Sequence, residues 1–277
     1  MIEAKVIEAS KSEHGDRPPL ITLQLRYPRF IHAEFMTHRV FSRNASSSRA
    51  VPVSKMLERV KAEPAMPVHW GKNQPGMQAW QELDEATAAE AKRVWLAAAE
   101  AAVNYAQLMS DMGVHKQVVN RITEPFQHID VIVTATEWDN FFALRDHPDA
   151  QPEIRALAQA MKAAIQGATY ATRSYDRSVA DAWHLPYISD SERSLHHNSP
   201  WMLAMLSAAR CARVSYMTHD GRHPRMDEDL ALFNRLVQSD PAHASPLEHQ
   251  AYPATNPSES RYTANFKGWV QFRQIYR

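Results

Sequence analysis

The sequence predicts an α+β fold, and three observations carry that expectation. Two stretches near the start alternate apolar and polar residues with the period of a half-buried strand. Residues 82–112 are Ala-rich and filled with strong helix formers. Strand-like and helix-like stretches are interspersed along the 277 residues without the regular β-α-β alternation of a parallel sheet.

The elements follow in order. Residues 1–9 (MIEAKVIEA) and 20–26 (LITLQLR) read as strands, separated by the turn SKSEHGDRPP. Residues 30–42 (FIHAEFMTHRVFS) read as a helix entered from Pro28. At helical spacing Phe30, Ala33, Thr37 and Val40 form an apolar back, with Glu34, His38 and Ser42 on a polar front. Three prolines and two glycines make 64–76 a connecting loop. The helix over 82–112 is expected to stop at Gly113. A short helix over 115–122, a strand over 129–135 and helices over 137–145 and 153–166 come next. The polar, mixed stretch 168–200 reads as an excursion or linker within one domain spanning 1–277. Helices are expected over 201–214 and 226–239, and the chain closes on the basic, aromatic SRYTANFKGWVQFRQIYR. That last stretch faintly echoes PRFIHAEFMTHR at 28–39.

Composition narrows the function classes. Lys+Arg 31 balances Asp+Glu 31, so no global charge excess points to stable nucleic-acid binding or an anionic membrane. No apolar run is long enough to cross a bilayer and no signal peptide follows Met1, so a cytoplasmic protein is expected. The single cysteine, Cys211, excludes an internal disulfide and a multi-cysteine zinc site, and its small-residue setting AARCARV suits a packed thiol. No metal site is expected from the fourteen histidines, none of which form His-Glu-x-x-His. With 7 glycines and no Gly-x-Gly-x-x-Gly or Walker loop, any nucleotide must be held by side chains, chiefly Arg, Ser and His.

Three constellations offer such side chains. THRVFSRNASSSRA at 37–50 packs arginines, serines, one His and one Asn after an apolar run. Guanidinium groups, hydroxyls and turn N–H groups converging there suit a phosphate dianion, although a solvated loop has the same composition. Arg121 and Arg145 end short helices; a pair with Glu124 and a C-terminal cap are their simpler uses. HASPLEH at 243–249 carries His243, Ser245, Glu248 and His249 around a proline, and Ser-Pro-Leu-Glu has the spacing of a capping box.

Together these pieces resemble the flavin-dependent thymidylate synthases, whose signature is Arg-His-Arg-x-x-Ser-x-Asn-Glu-x-Ser-x-Arg-Tyr. His38, Arg39, Ser42, Asn44, Ser47 and Arg49 keep its register, while Thr37, Ala45 and Ala50 depart from it. HASPLEH is similar to the family's His-Glu-Thr-Pro-Phe-Glu-His, AARCARVSY to Ala-Ala-Arg-Val-Ser-Phe, and NFFALR to Asn-Phe-Leu-x-Leu-Arg. In the family the segments like AARCARVSY and HASPLEH precede the Arg-His-Arg motif; here they follow it, as in a circularly permuted or rearranged relative.

The resemblance implies a mixed sheet with flanking helices and a cytoplasmic homo-oligomer, a tetramer, acting on a pyrimidine nucleotide. It implies reductive methylation of dUMP to dTMP with FAD, NADPH and methylenetetrahydrofolate. It places Ser47, Arg49, Arg121 and Arg145 on the substrate, with Ser47 and Arg145 catalytic. His38, Arg39, Asn140, His243, Ser245 and Glu248 match flavin positions. Thr37 stands where the family has an arginine, a gap Arg273 is placed to fill, and Ala45 stands where it has a glutamate. These departures leave open hydroxymethylation of dUMP, dCMP or UMP by the same parts. From composition alone, the Ser/Arg turn and basic C-terminus also fit a non-catalytic nucleotide- or RNA-binding protein.

Overall fold

The computed structural model describes residues 1–214 and 222–276. β1 (Glu3–Ser12) and β2 (Leu20–Pro28) form an antiparallel pair joined by the expected turn. Beyond β2 the structure departs from the predicted helix over 30–42: α1 covers only His32–Phe35 after one 3-10 turn, and β3 (Ser42–Ala45) follows. The predicted apolar back faces outward, with Phe30 and Val40 exposed, while Ile31, Phe35, His38, Phe41 and Ser42 are buried. Packing decides the outcome. Phe41 turns inward against Trp138 and Phe141, with ring centroids at 4.9 and 5.3 Å, and the backbone after it completes a sheet edge.

α2 (Val53–Ala62), unforeseen from the sequence, packs with α3 (Glu85–Asp111) and α4 (Lys116–Ile122) around Leu57, Val103 and Val119. Asp84 caps α3 by accepting from the Thr87 N–H. Gly113, at φ +79°, ends it in the left-handed region that glycine tolerates. β4 (His128–Ala135) then pairs with both β2 and β3, and α5 (Asp139–Arg145) and α6 (Pro152–Gln166) follow. The stretch 168–200 holds β5 (Ala171–Arg173) and α7 (Asp190–Leu195), and buries Trp183 and Leu185. α8 (Pro200–Ala212), α9 (Met226–Gln238), the hairpin of β6 (Ala251–Pro253) and β7 (Trp269–Gln271), and α10 (Phe272–Ile275) complete the chain.

The five-stranded sheet runs β3-β4-β2-β1-β5, antiparallel except for the parallel β1–β5 edge, so the fold is α+β with a mixed sheet and flanking helices. Alternation along β2 and β4 gives the sheet two unlike faces. Leu23, Leu25, Val131 and Val133 join Leu157 and Met161 of α6 in one core. Thr22, Thr134 and Ile132 look the other way, where Ile132 meets Cys211 of α8. A further core joins α8 and α9 to Leu247, Val270 and Phe272. Among the described residues no helix is long and apolar enough to cross a membrane.

Candidate active site

The turn after β3 is clamped from beneath. Ser46 N–H donates to the Asp130 carbonyl at 2.8 Å, extending the β3–β4 pairing by one residue. Buried Asn120 donates to the carbonyls of Ser48 and Val51, at 2.7 and 3.0 Å. Buried Ser48 donates to Glu124 at 3.0 Å, and the same carboxylate receives Arg29 at 3.1 Å and Arg121 at 3.2 Å. Ser48 thus points in, while Ser47 and Arg49 point out and are exposed. Arg49 has no ion pair among the described residues. Arg121 makes the expected pair with Glu124, yet its side chain stays 57% exposed and free to reach a second anion. The sequence names Glu124 only as a partner for Arg121; its role as a hub is not legible there because its other partners, Arg29 and Ser48, lie far off in the chain.

Arg145 ends α5, but its side chain leaves the helix. It ion-pairs with Glu34, donates from Nε to His38 Nε2 at 2.9 Å and reaches Thr37 Oγ1 at 3.4 Å. An arginine only donates, so His38 Nε2 must accept, which requires a neutral ring at that atom. Burial, with the cations Arg145 and Arg43 adding to it, pushes the His38 pKa down to about 4. Phe141 meets the His38 ring edge-on at 4.8 Å and fixes its plane. Thr37 is thereby a hydrogen-bond acceptor for Arg145. Arg39 and Asn140, the other flavin candidates nearby, are exposed.

HASPLEH corrects one expectation. Ser245–Glu248 is a single 3-10 turn with Ala244 at its cap position and no side-chain cap, so the capping box does not form. Ser245 lies inside the turn rather than before it, and Glu248 turns to an ion pair with Arg273. Arg273 is thereby committed to Glu248. His243 and Ser245 are exposed. Gln271 of β7 ties this turn to β3, donating to the Glu248 carbonyl at 3.4 Å and to Ser42 Oγ at 3.3 Å.

His249 is fully buried, with its pKa pushed down to about 3 by burial and by His184. It starts a chain of side-chain hydrogen bonds beneath the sheet. His249 Nδ1 meets Thr134 at 2.8 Å, Thr134 meets Thr22 at 2.7 Å, and Thr22 meets His184 at 2.7 Å. His184 then meets Ser10 at 2.8 Å, and Arg173 links Ser10, at 3.0 Å, to Glu8.

AARCARV lies on α8 and at its end, where Asn44 of β3 donates to the Cys211 carbonyl at 3.2 Å. Positions 215 and 216 of that motif lie outside the described residues. Burial pushes the Cys211 thiol well above its ordinary value, as a packed thiol should be. Arg210 is buried against Asp229 and Glu192 at 2.9 and 2.6 Å, a structural use.

The segments from 37–50, 140–145, 208–214 and 243–249 therefore converge on β3 and the loop before it. Within one chain they do not close into one pocket: among the described residues no hydrogen bond joins Arg145 to the 46–50 turn. A cleft of about 1050 Å³ beside Arg145 and Glu34 is lined by none of the other sequence-predicted site residues.

A mixed-sheet α+β protein with a cationic Ser/Arg turn at the sheet edge and a pinned arginine behind it is the class these features define. A family model described as thymidylate synthase complementing protein matches residues 17–169. The chain belongs to this family, the flavin-dependent thymidylate synthases, and is a thymidylate synthase-like methyltransferase. Among solved structures it is similar in fold to the UMP/dUMP methylase PolB from Streptomyces cacaoi bound with 5-Br UMP. That match has a TM-score of 0.51 and 20% identity over 60% of this chain and 88% of that one. Thymidylate Synthase X from Helicobacter pylori with FAD and dUMP also matches, with a TM-score of 0.39 and 15% identity over 53% of this chain and 67% of that one. No curated protein matches.

Proposed function

We propose that this chain is an FAD-dependent methylase that converts dUMP to dTMP with methylenetetrahydrofolate and NADPH, acting as a single domain over 1–277. The observation that carries the reading is the 46–50 turn, which lies within the family-matched residues and holds Ser47 and Arg49 outward over a clamped backbone. Ser47, Arg49 and Arg121 supply a hydroxyl and two guanidinium groups to the nucleotide phosphate. Arg145, fixed by Glu34 and neutral His38, offers an oriented cation to charge developing on the pyrimidine.

FAD, when bound, supplies the reducing equivalents. The donors proposed for it suit an anionic dinucleotide: Arg39, Asn140, His243 and Ser245 are exposed, with Glu248 and His38 held by partners of their own. These groups lie apart within one chain, which is the arrangement expected of a site assembled between copies. A cytoplasmic homotetramer follows from the family likeness. Thr37 and Ala45, at two departures from the signature, favour hydroxymethylation of a pyrimidine nucleotide as the second reading.

Incubation with FAD, NADPH, methylenetetrahydrofolate and dUMP, dCMP or UMP, with mass detection, tests both. The PolB likeness is a reason to keep UMP in the panel. Expected are a yellow protein, nucleotide-dependent NADPH oxidation and dTMP; a hydroxymethyl product selects the second reading. A chain that gains no flavin on titration and binds RNA with strong salt dependence would instead be a non-catalytic binding protein.

A further inference from the structure

Buried side chains join the β5 edge of the sheet to the 243–249 turn. Arg173 stands on β5, Ser10 on β1, Thr22 on β2 and Thr134 on β4, so the hydrogen-bonded chain crosses four of the five strands in spatial order. His184 and His249 reach it from the layer that covers this face, and Ser10, Thr22, Thr134 and both imidazoles are fully buried. The covering segments are tied to each other just past His249, where the His184 N–H donates to the Ala251 carbonyl at 2.8 Å.

The chain has only two directions. Thr22 lies between His184 and Thr134, Thr134 between Thr22 and His249, and Ser10 between Arg173 and His184, with no third partner for any of these hydroxyls among the described residues. Burial keeps both imidazoles neutral, with pKa values pushed down to about 4 for His184 and about 3 for His249. A hydroxyl has one proton to donate and a neutral imidazole one N–H. No member can therefore turn without its neighbours turning too.

Arg173 selects the direction. A guanidinium only donates, so Ser10 Oγ accepts from Arg173 Nε at 3.0 Å. The Ser10 proton then has one acceptor in reach, His184 Nδ1 at 2.8 Å. His184 consequently carries its own proton on Nε2 and donates to Thr22, which donates to Thr134, which donates to His249 Nδ1. His249 is left with its proton on Nε2, a buried atom without a partner among the described residues. The opposite direction would leave two groups unmet, the Ser10 proton and the His249 Nε2 lone pair, where this one leaves one. Charge agrees with the count. Arg173 and Arg193 share the single carboxylate of Glu8, so this end of the chain is net positive and favours the bare nitrogen of His184 toward it.

We propose that Arg173 is a positioning residue for the 243–249 turn: through Ser10, His184, Thr22 and Thr134 it fixes His249 as the Nε2–H tautomer, with Nδ1 pinned to the sheet. His249 directly follows the Ser245–Glu248 turn, so its bond to Thr134 is the sheet's hold on the end of that turn. A flavin on the turn rests on the methylase reading; the tautomer does not, and it is read without any ligand.

Long-range 1H–15N spectra of the full chain carrying 15N-histidine, at neutral pH, distinguish protonated from bare ring nitrogens. Through-space contacts to Thr22 and Thr134 assign the two rings. Both should carry the proton on Nε2 alone; a proton on Nδ1 of either overturns the proposal, and this reading needs no variant. Arg173→Met should admit the second tautomer at both rings together, and Arg173→Lys, whose ammonium also only donates, should keep the wild-type pattern. Rings unchanged in a folded Arg173→Met chain would take the selection away from Arg173. Thr134→Val should release His249 alone and leave His184 as it was. Backbone amide exchange over 245–250 should quicken about tenfold in Thr134→Val, the scale of one lost buried hydrogen bond. Exchange no faster there would remove the positioning role. Failure of the chain to bind FAD counts against the methylase reading and leaves the tautomer result standing.

Discussion

Arg49, on the turn after β3, is exposed and has no ion pair among the described residues, whereas Arg145, at the end of α5, is held by Glu34, His38 and Thr37. One cation is free to move toward an anion; the other is oriented before any ligand arrives. A free guanidinium contributes to affinity, because its bonds form on binding. A fixed one contributes to the chemical step, because it needs no reorganisation when charge develops.

Three experiments separate these roles, the largest effect first. Arg145→Ala should lower nucleotide-dependent turnover by about 10²–10³-fold with a smaller change in nucleotide affinity. Arg145→Lys should recover little, since one ammonium cannot span three partners. Steady-state NADPH oxidation reads both, and a loss confined to affinity would erase the contrast with Arg49. Arg49→Ala should weaken dUMP binding about 10–100-fold, as loss of charge-assisted hydrogen bonds worth about 1.5–3 kcal/mol requires, at an unchanged melting temperature. Flavin affinity should hold in that variant and fall instead in His243→Ala; equal loss of both ligands in either would contradict the assignment.

The third experiment is acid titration. His38 is held near pKa 4 in the folded chain against about 6.5 when unfolded. Above pH 6.5 the ring is neutral in both states. Between there and pH 4 the unfolded chain takes up a proton that the folded chain refuses, so stability falls as pH falls. Melting temperature should drop over that window, and His38→Gln should drop less. His184 and His249 are depressed in the same direction and keep part of the slope. Identical slopes in wild type and variant would detach His38 from the arginine it is said to hold.

Much of this molecule was legible in the chain. β1 and β2 announced themselves by alternation, α3 by its Ala-rich run, and β4 as the apolar run IDVIVTA. β3 did not. Its residues continue the helical spacing of Phe35 and His38, and only the open edge of β4 makes them a strand. The β6–β7 hairpin was hidden for a related reason: its two three-residue strands are too short to show a period and pair across a long excursion. Ser47 and Arg49 were singled out by their match to the family signature, but which serine of the run faces solvent was set by Glu124 and Asn120, and no local pattern reports that.

The hydrogen-bond chain beneath the sheet bears on where this molecule can be divided. Thr22 and Thr134 lie inside the family-matched span, yet the imidazoles that satisfy them, His184 and His249, lie beyond it. Residues 17–169 made alone would lack β1 and would bare to water the sheet face that carries Thr22, Ile132 and Thr134. The matched segment is recognisable as a sequence, but its sheet is completed by residues on either side of it.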